Sequence, residues 1–280
     1  MNVKVKKQKK PVLVLILLSA YALLSLYPLF YLITYSLKTS DEIFFTNPFG
    51  LPTQPRFDNY LRAVQGVDLL LLFKNSAFVT FFSCVGIVVL AIPFSYAVTR
   101  MQWKAKKAVS TYIALGLFIP VQVIIIPLSI LVKNLHLANT HFALIVPYIA
   151  FGLAMSTMIV GNGFLTLPRE LEESAFLDGA GIFRTFFSIM LPLVKPSVAT
   201  SLLFAVIANW NEYTLASIMI SDNKLKTIQV GLASFSGETI TDWGAIGACL
   251  VLASIPTILM YLVFSEQVEN ALTVSGAVKG

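Results

Sequence analysis

The feature that most constrains this chain is a series of six long apolar stretches, almost empty of charge, with short polar segments between them. A helix needs about 20 apolar residues to cross the hydrocarbon core of a bilayer. Residues 11–37, 75–99, 108–132, 142–165, 197–220 and 243–265 all reach that length, and Glu212 is the one formal charge inside them. In lipid the backbone must satisfy its own polar groups, so such stretches are read as helices. Charged residues make up 12% of the 280 positions, against about 25% in a soluble domain. The expected fold is all-α and integral to a membrane, with six transmembrane helices.

The apolar run at 11–37 is far longer than the core of a cleavable signal peptide, and no convincing small-x-small site follows it. It is expected to remain as the first transmembrane helix. Orientation follows from the Lys and Arg residues beside the spans. Thirteen lie in the tail at 1–10, the loop at 100–107, the loop at 166–195 and the tail at 266–280. Seven lie in the remaining connections, among them the turn-rich segment at 38–70 with Pro48, Gly50, Pro52 and Pro55. Both termini are therefore expected in the cytoplasm, with 38–70 an external loop and a short helix starting near Asn59. The net charge of +6 is explained by these cytoplasmic lysines and calls for no nucleic acid. Pro28, Pro93, Pro120, Pro127, Pro147 and Pro256 lie inside spans. Such prolines suit kinked helices along a pathway, and they are also ordinary membrane-helix composition.

Few residues offer chemistry. The chain has no G-x-x-x-x-G-K-[ST] loop, so it cannot hold ATP in the P-loop manner. Cys84 and Cys249 both lie in apolar runs, where cysteine behaves as a small hydrophobe. His136 and His141 are five residues apart and share no helical face, a poor basis for a metal site. No catalytic constellation is visible, and no cofactor is expected in this chain. Glu212 is conspicuous, within Asn209-Trp210-Asn211-Glu212-Tyr213. Charges at membrane depth usually face a cavity or a partner group. Amide, indole, carboxylate and phenol together suit a polyol ligand. The same set also suits a structural network joining helices, which is the expected reading ahead of ligand contact, or a side chain reaching for the interface.

The polar stretch from Pro168 to Gly181 reads as a short docking helix. Pro168 suits the first helical position, and Glu170, Glu172 and Glu173 suit the positive end of the helix dipole. Leu171, Ser174 and Ala175 form one narrow face. Gly179 and Gly181 are placed for a left-handed cap.

Glu173-Ser174-Ala175, three residues, Gly179, nine residues, then Ile189-x-Leu191-Pro192 resembles the E-A-A-x3-G-x9-I-x-L-P signature of ABC importer membrane subunits. Ser174 replaces the first alanine, one small residue for another. Trp210-Asn211-Glu212-Tyr213 resembles the W-N-E-[FY] element of carbohydrate-uptake permeases. Asn59-Tyr60, Asn75-Ser76, Tyr96-Ala97 with Arg100, and the terminal Gly276-Ala277-Val278-Lys279-Gly280 look like the smaller membrane subunit of maltose-type importers. The acidic Glu266-Gln267-Val268-Glu269-Asn270 departs from that family's usual aromatic and basic tail.

The resemblance implies a type I (MetI-like) importer permease with its core over 71–265. It implies a second homologous membrane subunit, two cytoplasmic ATPase subunits that bind ATP and Mg, and an extracytoplasmic solute-binding protein delivering a sugar. Coupling to the ATPases would fall to Glu172, Glu173, Ser174, Ala175 and Gly179, with Ile189, Leu191 and Pro192 anchoring the loop. Asn209, Trp210, Asn211, Glu212 and Tyr213 would be the candidates along the substrate path. A permease for a polyol phosphate is the nearest alternative, and a stand-alone secondary transporter a more distant one.

Overall fold

The computed structural model describes residues 12–66, 68–233 and 242–277, with side chains described as far as 265. The basic tail at 1–10, the last three residues of the terminal motif and the stretch 234–241 lie outside the described residues. The described residues are helical with no strand. In chain order the helices are α1 (Val12–Ser36), α2 (Asp58–Gly66), α3 (Leu69–Thr99), α4 (Lys106–Leu115), α5 (Val121–Asn134) and α6 (Phe142–Leu165). They continue as α7 (Glu170–Leu177), α8 (Ile182–Thr185), α9 (Leu191–Leu193), α10 (Lys195–Trp210), α11 (Thr214–Met219), α12 (Ile228–Ala233) and α13 (Trp243–Ala277).

Four single helices are long and apolar enough to span a membrane: α1, α3, α6 and α13 over Trp243–Ser265. Two further spans, if present, are bent pairs. Lys106–Phe118 and Val121–Asn134 meet at 106°, and Ile182–Leu193 and Lys195–Trp210 at 71°. The expected straight helix at 108–132 is thus broken. Ile119 and Pro120 are both extended, because a residue before proline is pushed out of the α region. Pro28, Pro93, Pro127, Pro147 and Pro256 remain inside their helices.

The expected helix at 197–220 stops at Trp210 and restarts at Thr214. The helix expected from Asn75 begins at Leu69, where the Asp68 side chain accepts from the Leu71 amide at 3.1 Å. That cap outweighs Lys74, whose side chain stays exposed. The last helix runs past 265 to Ala277.

The chain divides into two compact units. One comprises described residues 12–66 and 242–252. Its polar contacts explain why the turn-rich segment is ordered. Asn59 is fully buried and donates to the carbonyls of Ser36 at 2.8 Å and Lys38 at 2.9 Å. Tyr60 and Ser36 share a hydroxyl bond of 2.8 Å. Lys38 is 1% exposed, and its ammonium donates to the carbonyls of Asn47 at 2.7 Å and Pro48 at 3.1 Å. A π-helical turn at Glu42–Thr46 brings the Glu42 carboxylate to the Thr53 amide at 2.6 Å and hydroxyl at 3.0 Å.

Burial raises the Glu42 pKa, but the Thr53 and Asn47 hydrogen bonds and the Lys38 charge outweigh it. The carboxyl is held below its ordinary 4.5. A carboxylate held low stabilises the folded state above the unfolded pKa and loses that contribution as pH falls through the folded value. Limited proteolysis between 39 and 56 should therefore be slow at neutral pH and accelerate below about pH 4.5. A Glu42→Gln chain should be cut readily at both pH values.

The second unit comprises 68–233 and 253–277, with α3, α6 and α10 packed together at its centre. The contact between α3 and α6 is reciprocal. Ile149 fills the space beside Gly86, and Ile87 fills the space beside Gly152, leaving no room for a Cβ at either glycine. Small residues at helix interfaces permit such close approach in a membrane. Cys84, Ile87, Ala91 and Ala205 form one apolar cluster there.

Asn75 and Ser76 brace a polar segment. Asn75 donates to the carbonyls of Lys224 and Lys226 at 2.9 Å each, and Ser76 accepts from the Ile228 amide at 2.8 Å.

Candidate functional site: the acidic helix and the broken helix

Two features of the second unit carry the residues of interest. The first is α7. Pro168 stands two residues ahead of the helix rather than at its first position, while Glu170, Glu172 and Glu173 occupy the first turn as expected. The helix ends in a Schellman motif. The Ala180 amide donates to Ala175 at 2.9 Å and the Gly179 amide to Phe176 at 3.0 Å, with Gly179 at φ 79°. Gly181 is extended at φ −72° and needs no left-handed conformation. Gly179 has open space around it, so the backbone angle alone excludes a side chain. Gly179→Ala should cost about 1 kcal/mol and Gly179→Asn less, read as shifts in the thermal midpoint.

One buried cation fastens α7 to α3. The Arg100 side chain is 4% exposed and that of Glu172 13%, with Nη2 2.5 Å and Nε 2.7 Å from Glu172 Oε2. The Tyr96 hydroxyl donates to Oε1 at 2.7 Å. The guanidinium also donates to the carbonyls of Phe164 at 3.4 Å, Leu167 at 2.9 Å and Pro168 at 3.2 Å. It therefore binds the end of α6, the connecting turn and α7 at once. Beneath it the Tyr96 ring packs on Phe164 and Phe186, centroids 5.4 and 5.1 Å away. Ile189 and Leu191 pack against the same cluster, with Met190 and Val194 inside it. Pro192 is exposed.

Glu172 and Ala175 are thus engaged within the chain, Ala175 being buried at 5% exposure. The surface of α7 that remains open consists of Glu170, Glu173, Ser174, Phe176 and Leu177, the last 89% exposed. Sequence reasoning missed the ion pair. The available signal was Tyr96 and Arg100, four residues apart at the end of α3 with no acid on their own helix.

The second feature is the break after α10. Glu212 Oε1 accepts from the Leu215 amide at 2.7 Å, and Oε2 from the Ala216 amide at 3.0 Å and the Tyr148 hydroxyl at 2.7 Å. It caps α11 and ties it to α6. The Trp210 indole donates to the Ala253 carbonyl at 3.1 Å, and its ring lies 5.8 Å from Phe73. Asn211 is exposed and bonds its own helix at Ile207. Tyr213 is exposed. Asn209 and Glu212, but not Trp210, Asn211 or Tyr213, line a cavity of about 420 Å³. The five-residue element therefore divides into a pin at Trp210, a cavity-facing amide at Asn209, a cap at Glu212 that also borders the cavity, and two surface side chains. Ser156, Ser201 and Gln122, not singled out from the sequence, also line the cavity.

A bundle of spanning helices in which one broken helix borders a cavity has the architecture of a membrane transport subunit. Residues 76–273 match the family described as binding-protein-dependent transport system inner membrane component, and the chain belongs to that family. It is a multi-pass permease subunit of an ABC importer and not itself an enzyme. It is 34% identical to the probable ABC transporter permease protein YurM of Bacillus subtilis (strain 168), over 95% of this chain and 87% of that one. It is 30% identical to the trehalose/maltose transport system permease protein MalG of Thermococcus litoralis, over 97% and 98%. A bacterial ABC transporter involved in the import of the acidic polysaccharide alginate shares the fold at TM-score 0.80 and 23% identity, over 91% of this chain and 95% of that one. The fold is the all-helical MetI-like, type I importer permease fold.

Proposed function

We propose that this chain is one of two membrane subunits of an importer for a sugar or oligosaccharide, with α7 as its mechanical link to an ATPase. The observation that carries the coupling reading is the buried Arg100–Glu172 pair under an otherwise exposed helix. A short helix held rigidly at its base, with Glu173, Phe176 and Leu177 open on its surface, is built to transmit force from a partner. The chain has no P-loop of its own, so the force must come from separate ATPase subunits holding ATP and Mg. The Lys and Arg asymmetry puts α7 and both termini in the cytoplasm, with six spans if each bent pair crosses once. The transport core then runs over 71–265. An extracytoplasmic binding protein would deliver the ligand on the opposite side. The sugar class is supported by the trehalose/maltose permease of T. litoralis, which resembles this chain along nearly its whole length.

Glu173→Lys tests the coupling. Insertion and assembly of the membrane subunits should persist, while co-purification of the ATPase and ATP-driven uptake fall at least about tenfold, the effect of turning an interfacial attraction into a repulsion. Wild-type uptake by the charge-reversed chain would remove Glu173 from the docking surface.

A further inference from the structure

The cavity beside the broken helix carries a statement about ligand charge. It rests on the transport reading above and sharpens it. Ser156 and Ser201 line the cavity, 3% and 4% exposed, and neither hydroxyl has a partner among the described residues. The Asn209 amide makes one contact, a donation to Cys84 Sγ at 4.0 Å, which leaves its carbonyl oxygen open. Phe151 and Phe204 supply aromatic surface. Apolar walls with a few open polar groups are the usual make-up of a small-ligand site. Glu212 behaves differently, since both of its oxygens already accept bonds from α11 and Tyr148. No Lys, Arg or His is among the described residues that line the cavity.

We propose that this cavity is a subsite for an uncharged polyhydroxylated ligand, contacted by Ser156, Ser201 and Asn209, and that it rejects anionic sugars and sugar phosphates. Free hydroxyls and an open amide oxygen match sugar hydroxyls, which both donate and accept. Aromatic faces match the C–H surfaces of a pyranose. An anion would enter a site with no cation and one fixed carboxylate, and at reduced dielectric that repulsion is strong. Glu212 acts here as a positioning residue, setting the wall and the sign of the field without spending its oxygens on the ligand.

The test uses the assembled importer in phospholipid vesicles at saturating binding protein. The probes are maltose, trehalose, raffinose and digalacturonate. At least one neutral probe should be taken up, and digalacturonate at least about tenfold more slowly. Ser156→Ala, Ser201→Ala and Asn209→Ala should each raise KM about fivefold, the factor for one lost neutral hydrogen bond. Ser129→Ala, at a half-buried serine on α5 outside the cavity whose hydroxyl bonds its own helix at Ile126, should change nothing.

Because the binding protein selects first, the cavity's own preference is read with Ser201→Cys. A positively charged thiosulfonate reagent should modify it about tenfold faster than a negatively charged one of similar size. Failure to take up any probe, with ATPase bound, overturns the transport reading and the subsite together. Uptake with all three cavity variants unchanged overturns the subsite and leaves the transport reading standing. Equal labelling by the two reagents, or digalacturonate uptake equal to the neutral probes, overturns the charge selectivity.

Discussion

Arg100→Ala should abolish ATP-coupled uptake while the chain still inserts in the membrane. The guanidinium joins α3 to α7 through Glu172, to the end of α6 through the Phe164 carbonyl, and to the connecting turn through the carbonyls of Leu167 and Pro168. Removing it leaves Glu172, 13% exposed, with the Tyr96 hydroxyl as its single remaining hydrogen-bond donor. Breaking one side of a buried pair typically costs about 3–5 kcal/mol. That cost falls on the base of the lever, where slack converts a push on α7 into local motion instead of helix movement.

Uptake should fall at least about tenfold, while the partner ATPase continues to hydrolyse ATP, a loss of about 1.4 kcal/mol or more in coupling. Arg100→Lys should recover little, because one ammonium cannot reproduce a planar fork that serves four acceptors. Arg100→Met combined with Glu172→Met should recover thermal stability, since an apolar pair avoids the stranded charge. Normal uptake by Arg100→Ala in vesicles would end the rigid-lever account.

The second large effect is at Glu212. Glu212→Ala removes the acceptor for the Leu215 and Ala216 amides and strands the buried Tyr148 hydroxyl. A lost N-terminal cap costs about 0.5–2 kcal/mol, and an unpaired buried hydroxyl about 1–3 kcal/mol. The thermal midpoint should fall clearly, and amides in Thr214–Ile220 should exchange with deuterium much faster. Tyr148→Phe removes the hydroxyl and spares the cap, so its cost should be about 1 kcal/mol with little added exchange. Glu212→Gln keeps one accepting oxygen and should fall between them. If Glu212→Ala left exchange at Thr214–Ile220 unchanged, the capping role would be lost and a direct ligand contact would be the better reading.

The two sites differ in how much of them was legible. The helix α7 was readable from residues 168–192 alone, because helix caps and first-turn acids act over one or two turns. Its residues were readable, but not which way each faces. Glu172 and Glu173 are neighbours of one charge, and only the end of α3 decides that the first is paired with Arg100 and the second exposed. The element 209–213 was readable as polar groups at membrane depth, and its several explanations stayed open. The fold divides them, with Glu212 as cap, Trp210 as pin and Asn209 on the cavity. Ser156 and Ser201 gave no local signal, since a serine in an apolar helix looks the same whether it bonds its own backbone or faces a cavity.

By itself the sequence determined that the chain is a helical membrane protein and that a short helix with acids in its first turn lies between two long apolar stretches. Those follow from transfer of apolar side chains and backbone groups into lipid, which is additive along a segment and needs no knowledge of neighbours. Only the tertiary structure decided that the third stretch breaks at Pro120, that the fifth breaks at a carboxylate cap, and that Arg100 closes on Glu172. A bend or a buried ion pair depends on whether distant groups arrive to satisfy what it exposes. Arg100 and Glu172 lie 72 positions apart, and that closure is a property of the packed bundle.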